Sequence, residues 1–441
     1  MMNSELVAGV DSSTQSCKIV MIDPSDGSLV RQGRATHPDG TEIDPRIWWQ
    51  ALLHAIDDAG GLNGVTALSI GGQQHGLVCL DNNGNVIRDA LLWNDTRSAS
   101  SAQDLIIELG NGDQQEGAAR WAAFTGSVPV ASLTITKLRW IADNEPEIAD
   151  RIAAICLPHD YLTWRVSGSS SIYDLTTDRS DASGTGYMDI HTNEYRYDLL
   201  ELALRKDVSD IVLPRILPPF EVVGTGDKSR GWKQIKIGPG CGDNAGAALG
   251  LDLSPGVASI SLGTSGVVAA VSPQPVCDPS GLVTGFADAT GNWLPLACTL
   301  NASRIIDATC TMLGCDYKSF DDMALKASAQ GVEMTPYFEG ERTPNLPDAT
   351  ASITGLTLNN TKPENIARAA VEGLGKLMKG ALNAVVDAGC VIDKAVLVGG
   401  GAKSRAVQQI LPSILGIPVT VAPENEYVAL GAAKQALLCL K

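Results

Sequence analysis

Leu6-Val7-Ala8-Gly9-Val10 leads into Asp11-Ser12-Ser13-Thr14-Gln15-Ser16, and the apolar run 19–22 follows. The same plan returns further on: 257–260 leads into Ser261-Leu262-Gly263-Thr264-Ser265-Gly266, and 267–271 follows. Each reads as a β-hairpin whose tip is small and hydroxyl-rich, so that backbone N–H groups can approach an anion. One such hairpin is ordinary. Two, at the heads of two halves of similar size, point to a duplicated fold with a phosphate held between the halves.

Outward from the first hairpin, strands are expected at 6–11, 17–22 and 28–34. Asp44-Pro45 reads as N-cap and first position of a helix over 46–59, with Trp48, Leu52, Ala55 and Ile56 on its apolar face and Gly60-Gly61 as its stop. A strand at 65–70, the turn Gly71-Gly72-Gln73-Gln74-His75-Gly76 and a strand at 77–80 follow. Strand–helix–strand alternation of this kind argues for an α/β fold. The stretch 98–220 is helix-rich, with clear helical spacing at 133–142, and reads as an insertion capping one half. From Gly256 the second half has its own hairpin, a helical stretch near 301–313 and a long helix over 363–388. Asn360 or Thr361 is the expected cap of that helix and Gly389 its stop. A strand at 394–398, the turn Gly399-Gly400-Gly401-Ala402-Lys403-Ser404 and a helix from 406 close the chain's pattern. The domain boundary falls at 246/247 on this reading.

The chain has 441 residues, 44% apolar and 19% charged, which is ample for two or three cores. A net charge of −17 argues against nucleic acid or an anionic membrane surface as partner. No apolar run approaches a membrane span, and residues 1–5 carry no basic region ahead of an apolar one, so neither an anchor nor a signal peptide is expected. The ten cysteines contain no Cys-x-x-Cys; the nearest pair is Cys310 and Cys315. Buried thiols in a reducing cytoplasm are the expectation.

Several segments carry side chains suited to chemistry, each with a plainer reading beside it. Gly399–Ser404 is neither a Walker A loop, because Ala402 precedes Lys403, nor a dinucleotide fingerprint. It remains a strand, glycine-rich turn and helix that lets a flat ligand approach backbone, or simply a tight connection. Gly238-Pro239-Gly240-Cys241-Gly242-Asp243-Asn244 sets a carboxylate at a helix N-terminus, where the dipole favours its ionised form; Asp243 is a candidate general base or only a cap. His75 with Gln74, and Trp93-Asn94-Asp95-Thr96-Arg97, offer amides, an imidazole and an aromatic face to a polyhydroxyl ligand; the alternatives are a structural His, a surface turn and a core Trp. Asp11 ends the first strand, where it would orient water on Mg²⁺ or shape the turn. Gly340-Glu341-Arg342-Thr343-Pro344 reads as a structured loop.

Taken together, the chain resembles the FGGY carbohydrate kinases over essentially its whole length. The signatures are Ser132-x-Thr134-x-x-Lys137-Leu138-x-Trp140-Ile141-x-Asp143-Asn144 and the segment from Ala351-x-Ile353-x-Gly355-Leu356 to Asn365-Ile366-x-x-Ala369-Ala370-Val371-Glu372. Within the family it is most similar to members that phosphorylate D-xylulose, through Gly72–Gly76, Leu92–Arg97, Ser180–Thr185 and Pro336–Pro344. Gln74 departs from the Met that many relatives have before the His.

The resemblance implies two actin-like (ribonuclease H-like) α/β domains around a cleft for ATP and sugar. It implies Asp243 as catalytic base and possible metal contact, and a sugar met by Gln74, His75, Trp93, Asn94, Asp243 and Asn244. ATP would lie against Ser12, Ser13, Thr14, Gln15, Gly263, Thr264, Ser265, Gly399, Gly400, Gly401 and Ala402, with Asp11 in the outer shell of Mg²⁺. The implied partners are a small sugar and ATP, with a homodimer left open. A sister kinase acting on ribulose, gluconate or another polyol, or a catalytically silent actin-like ATP-binding protein, are the alternatives.

Overall fold

The computed structural model describes residues 5–441; the first four, where no signal peptide is expected, lie outside the described residues. The chain forms two compact units. One comprises residues up to Asp252 with Gly285–Trp293 and Glu426–Lys441; the other comprises Leu253–Thr284 and Leu294–Asn425.

Both hairpins form, and each is the seed of a mixed sheet. Leu6–Ser12 pairs antiparallel with Ser16–Ile22 and parallel with Val65–Gly72. Gly256–Leu262 pairs antiparallel with Gly266–Ala270 and parallel with Ile392–Val398. In each sheet the second hairpin strand takes a further antiparallel neighbour, Leu29–Thr36 in one and Trp293–Thr299 in the other. The repetition reaches a detail: the parallel register shifts at Leu6/Val7 in the first sheet and at Gly256/Val257 in the second. The first sheet extends beyond Val65–Gly72 to Lys236–Ile237 and Gly224–Thr225, and Cys241–Gly242 pairs with the end of the same strand. This α/β duplication is the actin-like plan implied by the resemblance.

Helices cover the sheets by local rules legible in the sequence. Asp44 caps Pro45–Asp58 through the Arg46 N–H, and Trp48, Leu52, Ala55 and Ile56 are buried beneath that helix. Burial of a side chain the size of Leu52 or Ile56 contributes about 1.5–3 kcal/mol. In the second unit, Pro363–Asp387 buries Ala367, Ala370, Val371, Leu374, Met378 and Ala381 in the largest core. Its cap differs from expectation. The N-cap is Lys362, and Asn360 instead ties the preceding turn by accepting from the Thr357 N–H and donating to Gln330 O and Gly355 O. The helix begins at Pro363 as expected, so its cap position falls on Lys362, and the Asn360 amide, two residues earlier, is left to close the loop.

One element escapes local reading. Tyr427–Leu438 is a helix whose Ala429, Ala433 and Ala436 lie on Val7, Val20, Ile22 and Ala67 of the first sheet. A Cβ on Gly9 would run into the backbone of Ala429 and Ala433, so the helix sits directly on the strand. Among the described residues no helix is long and apolar enough to cross a membrane. Cys17, Cys79, Cys156 and Cys241 are buried free thiols. Glu341 is buried and accepts from Leu300 N (2.6 Å) and Asn301 Nδ2 (2.9 Å), which makes its loop a structured one.

Candidate active site

In the first unit, three strand ends converge. Leu6–Ser12 delivers Asp11 and Ser12, Val65–Gly72 delivers Gln73, Gln74 and His75, and Cys241–Gly242 delivers Asp243. Parallel pairing sets them side by side: Asp11 is opposite Gly71, Ser12 opposite Gly72, and Gly242 opposite Gly72. Ligand sites in open α/β sheets form at such carboxyl ends.

Asp243 is the first residue of the helix Asp243–Gly250. Its Oδ1 accepts from Asn244 N (2.7 Å) and Asn244 Nδ2 (3.1 Å), while Asn244 Nδ2 also donates to Gln74 Oε1 (2.9 Å). One carboxylate oxygen is thereby committed, and the other is left for an incoming proton donor. Burial pushes the pKa of Asp243 up to about 6, and the N–H groups at the helix start hold it from rising further. A carboxyl poised there is still ionised at neutral pH yet basic enough to take a proton.

Asp11 is buried beside Lys18, whose Nζ lies 4.0 Å from Oδ2 and 2.5 Å from Glu426 Oε2. Burial, with the like charges of Asp243 and Glu426, pushes the Asp11 pKa up to about 7 against the pull of Lys18. Asp11 Oδ1, Ser12 Oγ and Gln73 Nε2 are buried with no hydrogen-bond partner. A buried polar atom left unpaired is costly unless something else, such as ordered water or an ion, completes it. A carboxylate oxygen suits a hard cation's water shell, so Asp11 Oδ1 fits Mg²⁺.

Around this centre, Trp93 is exposed and donates from Nε1 to Thr14 Oγ1 (2.9 Å); Thr14 in turn reaches Gln73 Oε1 (3.4 Å). Asn94 donates to Gly40 O (3.3 Å), and its Oδ1 is buried without a partner. His75 is held at φ 67° with Nδ1 2.8 Å from Gly184 O, and its ring lies 5.3 Å from that of Phe286. Ser13 Oγ donates to Ser16 O, closing the hairpin tip, and Gln15 is exposed. Gly184, Ser180 and Phe286 belong to this cluster, and their roles were not assigned from the sequence. Only the resemblance to Ser180–Thr185 pointed there, because their contacts span more than a hundred residues of chain.

In the second unit a cavity of about 370 Å³ is lined by Ser303, Ile306, Tyr317, Asp321, Gly400 and Gly401, among others. That is the size of a small-molecule site. Gly399 stands at φ 89°, where a Cβ would strike the backbone of Leu262, so the strand Ile392–Val398 turns at once into Gly400–Lys403. Gly400 and Gly401 then form bare backbone wall, with Ala402 buried behind. Asp321 steadies the opposite side, accepting from Ser404 Oγ (2.5 Å) and Arg405 N (2.8 Å). The sequence does not single out Tyr317, Ile306 and Asp321, since helical periodicity marks a core face and does not say which residues of it, or beside it, wall a cavity. Gly263, Thr264 and Ser265 are at the tip of the second hairpin, with Ser303 N donating to Gly263 O (2.8 Å) and Ala302 N to Thr264 O (3.1 Å).

The chain matches the N-terminal domain model of the FGGY family of carbohydrate kinases over residues 6–250 and the C-terminal domain model over 258–439. It is 44% identical over 440 residues to the xylulose kinase of Streptomyces coelicolor, covering 98% of this chain and 87% of that one. With the Escherichia coli xylulose kinase it shares 31% identity over 447 residues, 97% of this chain and 89% of that one. The crystal structure of xylulose kinase from Bifidobacterium adolescentis superposes with a TM-score of 0.94 at 49% identity, covering 99% of this chain and 93% of that one. With both domain models matched in order, and relatives this similar across nearly the full length, the chain belongs to the FGGY family of carbohydrate kinases.

Proposed function

We propose that this chain is a cytoplasmic kinase that transfers the γ-phosphoryl group of ATP to the terminal hydroxyl of D-xylulose, giving D-xylulose 5-phosphate and ADP. The observation that carries the reading is Asp243: one oxygen is occupied by Asn244, the pKa is raised to about 6, and the amide of Gln74 and the imidazole of His75 are brought to the same strand ends. The sugar's name comes from the relatives, among which xylulose kinases match nearly the whole chain.

In the proposed reaction the sugar hydroxyl oxygen bonds to the γ-phosphorus as the bond to the bridging oxygen of ADP breaks, and the hydroxyl proton passes to Asp243 Oδ2. Phosphoryl transfer has a loose transition state, so orientation contributes more than full deprotonation. Gln74, His75, Asn94 and Asn244 would hold sugar hydroxyls, with Trp93 as an apolar face. The hairpin tips Ser12–Gln15 and Gly263–Ser265 would offer N–H groups to phosphate oxygens, and the cavity walled by Gly400 and Gly401 would take the adenosine. Mg²⁺, when bound with the nucleotide, supplies charge neutralisation to the phosphates; Asp11 would hold its water shell.

The function is tested by presenting ATP with D-xylulose, D-ribulose, L-ribulose, gluconate and glycerol to the purified protein. We expect kcat/KM to be greatest for D-xylulose. A larger value for another acceptor overturns the assignment of the sugar, and ATP turnover independent of every acceptor overturns the kinase. Asp11→Asn keeps the shape and removes the charge. Loss of an outer-shell ligand typically costs about 10–100-fold in activity. We expect that loss in Mg²⁺-dependent turnover, with sugar affinity measured calorimetrically within twofold of wild type. Equal losses in both would contradict a division of roles between Asp11 and the sugar contacts.

A further inference from the structure

Behind the strand ends lies a polar turn, 178–185, that the proposed mechanism does not use. Asp178 caps it, accepting from Ser180 N (2.8 Å) and Asp181 N (3.0 Å). Ser180 is fully buried, and its Oγ accepts the backbone N–H of Gly242 at 3.0 Å. The Ser180 carbonyl accepts from Ser183 Oγ (2.7 Å) and, at 3.5 Å, from Gln74 Nε2. Gly184, four residues on, carries the carbonyl that meets His75. One turn thus touches the residue before Asp243 and both side chains at the end of Val65–Gly72.

The turn is anchored from beneath. His159 is fully buried, with Nε2 3.4 Å from Asp160 Oδ1, 3.4 Å from Asp178 Oδ1 and 3.3 Å from Asp181 Oδ2. Burial opposes the charged imidazole, but the three carboxyl groups outweigh it and push its pKa up to about 9. Burial also pushes the Asp160 carboxyl up to about 6 and the Asp181 carboxyl well up, so the imidazolium is the charge that these groups enclose, and parting it from them would leave it buried and unpaired. His159 is also close to two glycines: a Cβ on Gly72 would meet its Cβ and backbone, and one on Gly240 would meet its imidazole at Nδ1.

On its other side Gly242 has the Gln74 side chain close by, near enough that an added Cβ would meet it. The Gly242 N–H has Ser180 Oγ as partner, and Gly242 pairs with Gly72 while the preceding Cys241 pairs with Gly71. Asp243 follows directly, so the direction of its carboxylate is set where Gly242 is set.

We propose that Ser180 is a positioning residue for phosphoryl transfer: its Oγ fixes the Gly242 N–H and through it the aim of the Asp243 carboxylate, on a turn anchored by His159. This rests on the reading of Asp243 as the base. A misplacement of about 1 Å at a reacting group can cost about 10²-fold. Removing the acceptor also leaves a buried N–H unpartnered, which the backbone relieves by shifting.

The test is Ser180→Ala, assayed with ATP and D-xylulose, with competent sites counted by titration with a non-hydrolysable ATP analogue. We expect kcat per site to fall about 10–100-fold, while KM for the sugar and Kd for the analogue stay within threefold. A purely structural role would lower the number of sites and leave turnover per site unchanged; that result overturns the proposal. Ser180→Cys keeps the size with a poorer acceptor and should fall between wild type and Ser180→Ala. If Ser180→Ala does not fold, wild-type turnover per site in Ser180→Cys overturns the proposal, and an intermediate value supports it. Loss of fold in both overturns it, because Ser180 is then structural. Asp243→Ala with wild-type turnover would overturn the base assignment and this proposal with it, whereas wild-type turnover in Ser180→Ala alone overturns only the positioning role.

Discussion

Asp243→Ala should lower kcat for sugar phosphorylation by about 10²–10⁴-fold, the usual worth of a general base, while nucleotide binding is retained. The cavity proposed for the adenosine is built from residues of the other unit, and its walls do not include Asp243. The pH profile gives the same prediction independently. Asp243 accepts a proton only when ionised, and burial pushes its pKa up to about 6. In wild type, kcat/KM should therefore level off above about pH 6 and fall by about tenfold for each unit below it. The residual activity of Asp243→Ala should lack that limb. Activity within a few-fold of wild type in a folded variant would remove Asp243 from the reaction; an unchanged limb in the variant would assign the titration to another group, with Asp11 the next candidate at about 7.

Gly431→Ala should destabilise the protein by about 1–3 kcal/mol, the common cost of forcing a carbon into a packed contact. Helix propensity argues the other way, since Ala in a helix interior is favoured over Gly by about 1 kcal/mol. Geometry decides between them. Gly431 lies in Tyr427–Leu438, and a Cβ there would run into the carbonyl oxygen of Gly246 in Asp243–Gly250. A Cβ on Gly250 would likewise strike the Tyr427 carbonyl. These two helices meet backbone to backbone, and a carbonyl cannot rotate aside as a side chain can. Because the second helix begins with Asp243, separating the pair also moves the carboxylate, so turnover should fall with stability. Gly380→Ala is the control. It lies in the exposed face of Pro363–Asp387 with nothing near its added Cβ, and should gain about 0.5–1 kcal/mol from propensity alone. Thermal melts should rank Gly380→Ala above wild type and wild type above Gly431→Ala. A Gly431→Ala melt at or above wild type would mean that the helices part without cost.

The local chemistry of this chain was legible because its determinants lie within a few residues of one another. Asp44-Pro45 announced a helix start, and Asp44 does cap it; the two hydroxyl-rich tips announced hairpins, and both form. Where a signal was ambiguous by a residue, as between Asn360 and Thr361, the structure took neither: the cap position is Lys362, and the Asn360 amide serves the adjoining loop. The candidate site was half legible. Asp11, Gln74, His75 and Asp243 sit on short motifs, so they could be named; their meeting could not, because it depends on Cys241–Gly242 pairing beside Val65–Gly72.

The sequence by itself determined the duplicated strand–turn–strand plan, since alternation of apolar residues and turn chemistry act over neighbouring positions. Only the tertiary structure decided that the last helix returns to the first unit. Ala429, Gly431, Ala432, Ala433 and Ala436 are buried there. Side chains so small leave a weak apolar stripe, and their value lies in close approach to a partner that local sequence does not reveal. The same holds for His159 and Ser180. Each reads as an ordinary polar residue in its own segment. Each acquires its role from carboxyls, glycine backbone and an N–H that arrive from distant parts of the chain, where burial makes every unpaired polar group expensive.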